Sequence, residues 1–360
     1  MDISQLTALP ADRRMIGYRY YPQATEPVRE EAAIPTPNDD EVLIRVLAAG
    51  VCHSDIGLLD PNGLGRIATT NYFMGHENAG IIVALGSSVP SAYPELVVGL
   101  YVAVCSVNAC FAASCPLCQT GADNLCRKNR FLGLGCDGAF AQYCAVRAAV
   151  IVPVPGGIQR IPPAVAAIAT DAVLTPYHAM KTCVRIEPTH TVLVLGVGGL
   201  GLNAVAIAKH CLNAHCVLAC DTRQSSLPQA LEVGADHAVL SDKLLQFVEG
   251  AQLSIDVVFD FVGNQASFDT AVSVVKPCGK VHIVGLGAAT LQVTPLVWMN
   301  KDLMVGSSFW GTKRELAEVL DAIAEGKIKP RVETRPLDQC VQVLDDLRNG
   351  KVKNRIALIP

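Results

Sequence analysis

This sequence predicts an α/β fold: a doubly wound parallel sheet preceded by a compact, strand-rich domain. Three observations predict it. The first 160 residues or so read as short apolar strands between Asn/Pro/Gly-rich turns, and from about residue 163 strands and helices alternate. A glycine turn, Gly196-Val197-Gly198-Gly199-Leu200-Gly201, then joins one of those strands directly to a helix. Strands alternating with helices at this spacing form a parallel sheet whose crossover helices cover its faces. At about 150 residues per domain, 360 residues suggest two domains.

In chain order, EVLIRVLAAGV (41–51) and ENAGIIVALG (77–86) are apolar runs with β-branched residues, separated by turn segments such as DPNGLG (60–65). A strand-dense opening of this kind suggests a compact barrel-like domain. The Ala-rich stretch PAVAAIATDAVLTPYHAMKTC (163–183) reads as a helix and leads to the strand TVLVLG and the helix LNAVAIAKHCL. The strand HCVLACD, the helix SSLPQALEVG and the strand AVLS follow, then the strand IDVVFDFVG, the helix SFDTAVSVV and the strand KVHIVGLG. Beyond residue 311 come the helices KRELAEVLDAIAEG and LDQCVQVLDDLRNG and a last strand, NRIALIP. No internal repeat and no linker long enough to be disordered is present.

Composition excludes several classes. Apolar residues make up 51% and charged residues 17%, which rules out a disordered or low-complexity chain. A net charge of −4 gives no general attraction to nucleic acid or anionic lipid, so neither is expected as a partner. Residues 96–122 and 191–208 contain no charged residue or histidine, the pattern that suggests a membrane helix. The first, however, holds Asn108, Ser114, Pro116 and four cysteines, and the second four glycines at a turn, so membrane insertion is not expected. MDISQLTALPADRR has no basic head followed by an apolar stretch, so no secretory signal is read and a cytoplasmic protein is expected. Fourteen cysteines then point to reduced thiols, metal ligation or burial, with Cys105, Cys110, Cys115, Cys118, Cys126 and Cys136 set apart by their tight spacing.

The glycine turn has the context a dinucleotide needs. Gly196, Gly198, Gly199 and Gly201 permit a tight turn, and the helix opening at Leu200-Gly201 presents N–H groups to a pyrophosphate. The next strand ends in Asp221, twenty residues after Gly201, where a carboxylate accepts hydrogen bonds from the ribose 2′-OH and repels a 2′-phosphate. NAD is therefore expected over NADP, with Arg223 two residues on as a countervailing cation. The bland alternative is a tight turn with Asp221 capping the following segment.

Cys52-His53-Ser54-Asp55 follows the first of the apolar strands, in a turn, and Gly75-His76-Glu77-Asn78 comes some twenty residues later. A thiolate and an imidazole from separate loops suit Zn²⁺, and a catalytic zinc takes three protein ligands and keeps one open position. GVCHSD, GHENAG, a cysteine lobe, DAVLTPYH and GVGGLG in that order resemble the zinc-dependent alcohol dehydrogenases of the medium-chain dehydrogenase/reductase (MDR) family, over essentially the whole chain. The resemblance implies a GroES-like β-barrel catalytic domain, residues 1–172 and 311–360, and a Rossmann NAD-binding domain, residues 173–310.

It further implies that Cys52 and His76 bind a catalytic zinc, with Glu77 beside the metal. Much of the family has a cysteine as third ligand; here Asp171 falls at that place and is the expected ligand, the alternative being that Asp171 caps a helix and Glu77 completes the set. Cys110, Cys115, Cys118 and Cys126 resemble the family's structural zinc site, although the first gap is four residues instead of two and Cys105 is a possible substitute for Cys110. Two zincs per chain are thus expected. Ser54 would accept the alcohol proton and His53 would face the pyrophosphate, while Gly57 stands where a histidine often ends the proton relay. Val262, Gly285 and Leu286 fall where the family lines the nicotinamide pocket. The bland readings of these residues are a turn hydroxyl for Ser54 and ordinary strand ends for the rest. Leu59, Phe73 and Trp310 are candidates for the substrate pocket, although single aromatics are more often core.

The expected function is the reversible, NAD-linked oxidation of a small uncharged primary or secondary alcohol to aldehyde or ketone, in a homodimer or homotetramer. Two readings compete: a zinc-independent MDR enone or quinone reductase, and a non-catalytic relative. The first has no use for CHSD, GHE and a cysteine lobe, and the second predicts decay of the zinc or glycine residues.

Overall fold

The computed structural model describes residues 6–61, 63, 65 and 68–360. Asn62 and Leu64 of the turn segment 60–65, and the first five residues of the segment scanned for a leader, lie outside the described residues. The chain divides into two compact units: one runs up to Asp171 and takes up again at Thr312–Ala324 and Arg331–Pro360, the other comprises Ala172–Gly311 and Glu325–Pro330.

The first unit is built on the eleven-residue strand Glu41–Val51. Val42, Leu43 and Ile44 are each fully buried, because the strand is covered on both faces. Antiparallel partners flank it: Glu77–Leu85 on one edge, and Arg355–Ile359 with Tyr143–Arg147 on the other. Two register shifts, at Leu43/Ile44 and Val46/Ala48, bend it along its length. The pairing places Gly50 opposite Glu77 and Val51 opposite Ile356, so Cys52, His76-Glu77 and Arg355 come together at one end of three adjacent strands. A three-stranded sheet, Val28–Ala33, Arg14–Tyr20 and Tyr72–Phe73, packs Met15 and Phe73 with Leu43 and Val83. CHSD, expected in a turn, instead opens the short helix His53–Leu58, because the Asp55 carboxylate reaches back to accept the Cys52 N–H at 2.8 Å.

The second unit is a six-stranded, all-parallel sheet in the order His237–Leu240, Cys216–Asp221, Thr191–Leu195, Ile255–Asp260, Val275–Ile283, Met304–Ser307. The order reverses between Thr191–Leu195 and Ile255–Asp260, and a crevice at that switch is where open α/β sheets bind ligands. Leu193, Leu218, Val258, Phe268 and Val281 form its core. The helix Pro295–Lys301 and the edge strand Met304–Ser307 are absent from the sequence reading, since both are short and largely exposed and neither has a marked apolar period.

The Ala-rich segment is helical from 163 to 184, with π-helical stretches at Ala169–Val173 and His178–Val184. Pro176 lies inside it and has no N–H to give the Ala172 carbonyl four residues earlier. Asn203 Nδ2 donates to that carbonyl instead, at 3.0 Å. No helix among the described residues is long and apolar enough to cross a membrane.

Two glycines of the turn, Gly196 and Gly201, have no room for a side chain. A Cβ on Gly201 would lie 1.9 Å from the Gly196 carbonyl oxygen, and Gly196 itself has φ +85°. Gly201→Ala is therefore expected to cost about 1–3 kcal/mol in urea unfolding, the usual penalty of overpacking. Gly250→Ala, where a Cβ meets nothing within 4 Å, serves as the control and is expected to be near neutral.

Candidate metal centres and dinucleotide site

Cys52, His76, Glu77 and Asp171 bring one ligand atom each into a group in which all lie within 4.8 Å of one another. All four residues are buried. Cys52 Sγ stands 3.3 Å from Asp171 Oδ2, and His76 Nε2 stands 3.7 Å from the same oxygen. Tetrahedral ligands at bond lengths of about 2.0–2.3 Å are themselves roughly 3.3–3.8 Å apart, so these separations suit one zinc ion. Asp171 lies within the π-helical stretch Ala169–Val173 and turns its Oδ2 to Cys52 and His76; it caps no helix. Glu77 has its carboxylate over Gly50, where a Cβ would come within 1.9 Å of Oε2. Glu77 Oε2 is buried without a hydrogen-bond partner.

Two residues with no assigned role in the sequence reading complete this centre. Asp55 is fully buried, accepts the Cys52 N–H through Oδ2 and places Oδ1 3.2 Å from His76 Nδ1. A carboxylate on the far nitrogen of a metal-type histidine fixes its tautomer and ring orientation. Arg355, 5% exposed, pairs through Nη2 with Glu77 Oε1 and, at 3.1 Å, with Asp171 Oδ2. The signals were a carboxylate three residues after Cys52 and a lone arginine in the apolar strand NRIALIP.

The electrostatics follow from crowding anionic donors into a dry pocket. Burial pushes the Glu77 carboxyl well up, against the pull of Arg355. Burial works against a charged His76, yet the field of Asp55 and contacts to Asp171, Asp55 and Cys52 hold its pKa well above the ordinary value. Burial likewise opposes the Arg355 cation, but Glu77, Cys52 and Asp171 raise its pKa, and it remains charged. Ser54, half-buried, has its Oγ 3.7 Å from Cys52 Sγ, whereas His53 is exposed on the helix's first turn.

The second donor group is Cys110, Cys115, Cys118 and Cys126. The sulfur separations are 3.9 Å for Cys110–Cys118, 3.9 Å for Cys115–Cys126 and 3.5 Å for Cys126–Cys110. These match the spacing of four thiolates around one zinc, so the longer first gap does not keep Cys110 away. The Cys118 backbone N–H beside Cys115 helps bring its thiol down to about 7. Cys105 is not in the group, and burial pushes its thiol up to about 12.

The dinucleotide-type residues meet at the carboxyl ends of the parallel strands. Gly196 follows Thr191–Leu195, Asp221 ends Cys216–Asp221, Val262 follows Ile255–Asp260 and Gly285 follows Val275–Ile283. Gly198 and Leu200 carbonyls accept the N–H groups of Leu202 and Ala204, and the Gly199 carbonyl accepts Asn203 Nδ2, so the turn runs straight into its helix. Asp221 accepts the Val197 N–H at 2.9 Å, tying the second strand to the turn. Buried Asp260 accepts the Val262 and Gly263 N–H groups, each at 2.9 Å, which holds the third position. A Cβ on Gly196 would lie 2.7 Å from a Val262 methyl, and Leu286 is 78% exposed. Of the three substrate-pocket candidates, Phe73 belongs to the core of the first unit, with Arg19 stacked on its ring, and Leu59 and Trp310 are buried as well.

A zinc-type donor cluster in one unit and a dinucleotide-type switch point in the other mark the architecture of a metal-dependent dehydrogenase. The alcohol dehydrogenase GroES-like domain family matches residues 38–156, and the zinc-binding dehydrogenase family matches residues 199–325. L-galactonate-5-dehydrogenase of Escherichia coli (strain K12) is 32% identical over 85% of this chain and 86% of its own. An NAD-dependent alcohol dehydrogenase of Saccharolobus solfataricus is 30% identical over 92% of this chain and 96% of its own. Among solved structures, acetophenone reductase of Geotrichum candidum in complex with NAD has a TM-score of 0.86 at 35% identity, covering 98% of both chains. The chain belongs to the zinc-dependent alcohol dehydrogenases of the medium-chain dehydrogenase/reductase family. Its reaction is of the family's kind, oxidation of an alcohol with zinc and NAD as cofactors; neither a zinc-free reductase nor a non-catalytic relative is favoured.

Removing Arg355 would leave two buried carboxylates without their cation. Arg355→Met is expected to lose about 3–5 kcal/mol in urea unfolding, the cost of breaking a buried pair on one side. A loss below about 1 kcal/mol, the level of an exposed pair, would show that Glu77 and Asp171 do not rely on it.

Proposed function

We propose that Cys52, His76 and Asp171 hold the catalytic zinc, with Glu77 in reserve beside it, and that the chain oxidises a small, uncharged primary or secondary alcohol. The observation that carries this reading is the convergence of those four buried donors within 4.8 Å of one another. When bound, zinc supplies the Lewis acidity that lets an alcohol ionise near neutral pH, and NAD supplies the hydride acceptor. Ser54, whose Oγ lies 3.7 Å from Cys52 Sγ, would accept the alcohol proton while handing its own hydroxyl proton on along a relay to water. Asp55 holds the His76 ring in one tautomer, and Arg355 pairs with Glu77 and Asp171. Cys110, Cys115, Cys118 and Cys126 hold a second, structural zinc that pins their loop.

The unit with these donors acts as the catalytic domain and the parallel-sheet unit as the NAD-binding domain. There Gly196, Gly198, Gly199, Leu200 and Gly201 cradle the pyrophosphate and Asp221 receives the ribose hydroxyls, while Val262, Gly285 and Leu286 line the nicotinamide pocket. His53, exposed, is assigned to the pyrophosphate. Cytoplasmic residence fits fourteen cysteines free of disulfides. A homodimer or homotetramer is supported by apolar exposure around the edge strand: Met304 is 58% exposed, Leu296 64% and Met299 76%.

Metal content tests the first assignment. Protein purified without added metal is expected to carry two zincs per chain. Asp171→Ala should lose one of them and all alcohol-dependent NADH formation while keeping the native circular dichroism. Cys115→Ser should lose the other zinc and melt at a lower temperature, yet still turn over. Full activity in Asp171→Ala, or a single zinc in the wild type, would overturn the corresponding site. Light scattering during gel filtration should give a multiple of the 38.1 kDa chain mass, and the chain mass alone would refute the oligomer.

A further inference from the structure

The carboxylate assigned to the ribose is already engaged. Asp221 Oδ1 accepts the Arg223 backbone N–H at 2.9 Å and the Arg223 Nε–H at 3.1 Å. Its Oδ2 accepts the Val197 N–H at 2.9 Å and an Arg223 Nη2–H at 3.3 Å. An acidic residue at this place turns NADP away by charge, because an uncompensated carboxylate repels the 2′-phosphate. Here a guanidinium lies against both oxygens, so the pair has no net charge and the repulsion is cancelled.

The same guanidinium is placed to do more than cancel. The Arg223 side chain is 45% exposed while that of Asp221 is 6% exposed, so the cation lies on the solvent side of the pair. Nη2 also lies 3.8 Å from where a Gly198 Cβ would be, so the guanidinium stands over the glycine turn. Among the described residues Nη1 makes no hydrogen bond, which leaves part of the planar donor fork open to phosphate oxygens. An ion pair this exposed is weak and opens readily.

We propose that Arg223 makes the ribose site accept both dinucleotides. With NAD, Arg223 swings off Asp221 and the carboxylate takes the ribose hydroxyls. With NADP, Arg223 binds the 2′-phosphate and shields it from Asp221. This inference rests on the reading of the Gly196–Gly201 turn and Asp221 as the NAD site, and it adds a residue that sets the choice of dinucleotide.

The test is direct binding, read from the fluorescence of NADH and NADPH titrated into the zinc-loaded protein without alcohol. Wild type is expected to bind the two within about tenfold of each other. Arg223→Ala should weaken NADPH at least tenfold and leave NADH no weaker, because Asp221 is released; Arg223→Lys should restore part of the NADPH affinity. Calorimetry with 2′,5′-ADP against 5′-AMP should give the same pattern without a nicotinamide. A wild type that binds NADH but not NADPH overturns the proposal, and so does an Arg223→Ala variant that weakens both equally, since the arginine would then serve the pyrophosphate or the turn. If wild type binds neither dinucleotide, the NAD reading of the turn itself has failed.

Discussion

The constraint on which the first unit depends is that anionic donors gathered in a dry pocket must be matched by cations. Cys52, Glu77, Asp171 and Asp55 surround His76 at nearly zero exposure, where an unpaired charge is prohibitively costly. Arg355 supplies one fixed cation, and the strand order is what makes that possible. Glu41–Val51 lies between Glu77–Leu85 and Arg355–Ile359, so the last strand of the chain brings an arginine to the end where the first two present a cysteine, a histidine and a glutamate. Gly50 then gives the Glu77 carboxylate room to lie across its neighbour and meet that arginine.

In the second unit the same problem is solved with backbone donors. Asp260 is fully buried and takes the Val262 and Gly263 N–H groups and the Ser267 hydroxyl, which shapes the strand end next to the glycine turn. Asp221 is held by the Val197 and Arg223 backbone N–H groups and, in addition, by the half-exposed Arg223 side chain. One carboxylate is thus spent wholly on local structure, and the other, two strands away in the sheet, shares its charge with an exposed arginine. Charge that is satisfied by the backbone is permanent, whereas charge satisfied by an exposed arginine can be exchanged for a ligand.

The alternation of strand and helix from residue 191 to 283 was plain in the sequence, because short apolar runs such as Thr191–Leu195 and Cys216–Asp221 alternate with helical segments. The glycine turn was equally legible, since few residues can make that turn. Less legible were the elements with weak pattern: Pro295–Lys301 and Met304–Ser307 are largely exposed, and Arg14–Tyr20 mixes arginines with buried tyrosines. Cys52 and His76 could be singled out by residue type, and Asp171 only by the place it takes in the family resemblance. Asp55 and Arg355 could not, because their importance lies in which neighbours the sheet gives them, and Arg355 is 278 residues from Glu77 in sequence.

An aspartate at position 171 changes the charge of the centre in a way a cysteine would share, but changes its contacts in a way a cysteine would not. One carboxylate oxygen reaches Cys52, His76 and Arg355 together, at 3.3, 3.7 and 3.1 Å. A thiolate is a poor partner for a planar guanidinium, whereas a carboxylate matches it. The π-helical turn Ala169–Val173 is what carries Asp171 to that position. With the proposed zinc in place, a thiolate and two carboxylates face a guanidinium and a dication and leave no net charge. Asp55 then remains as the one further anion, and the His76 Nδ1–H answers it. Arg355 and the proposed zinc would thus together allow four acidic donors to share one buried pocket.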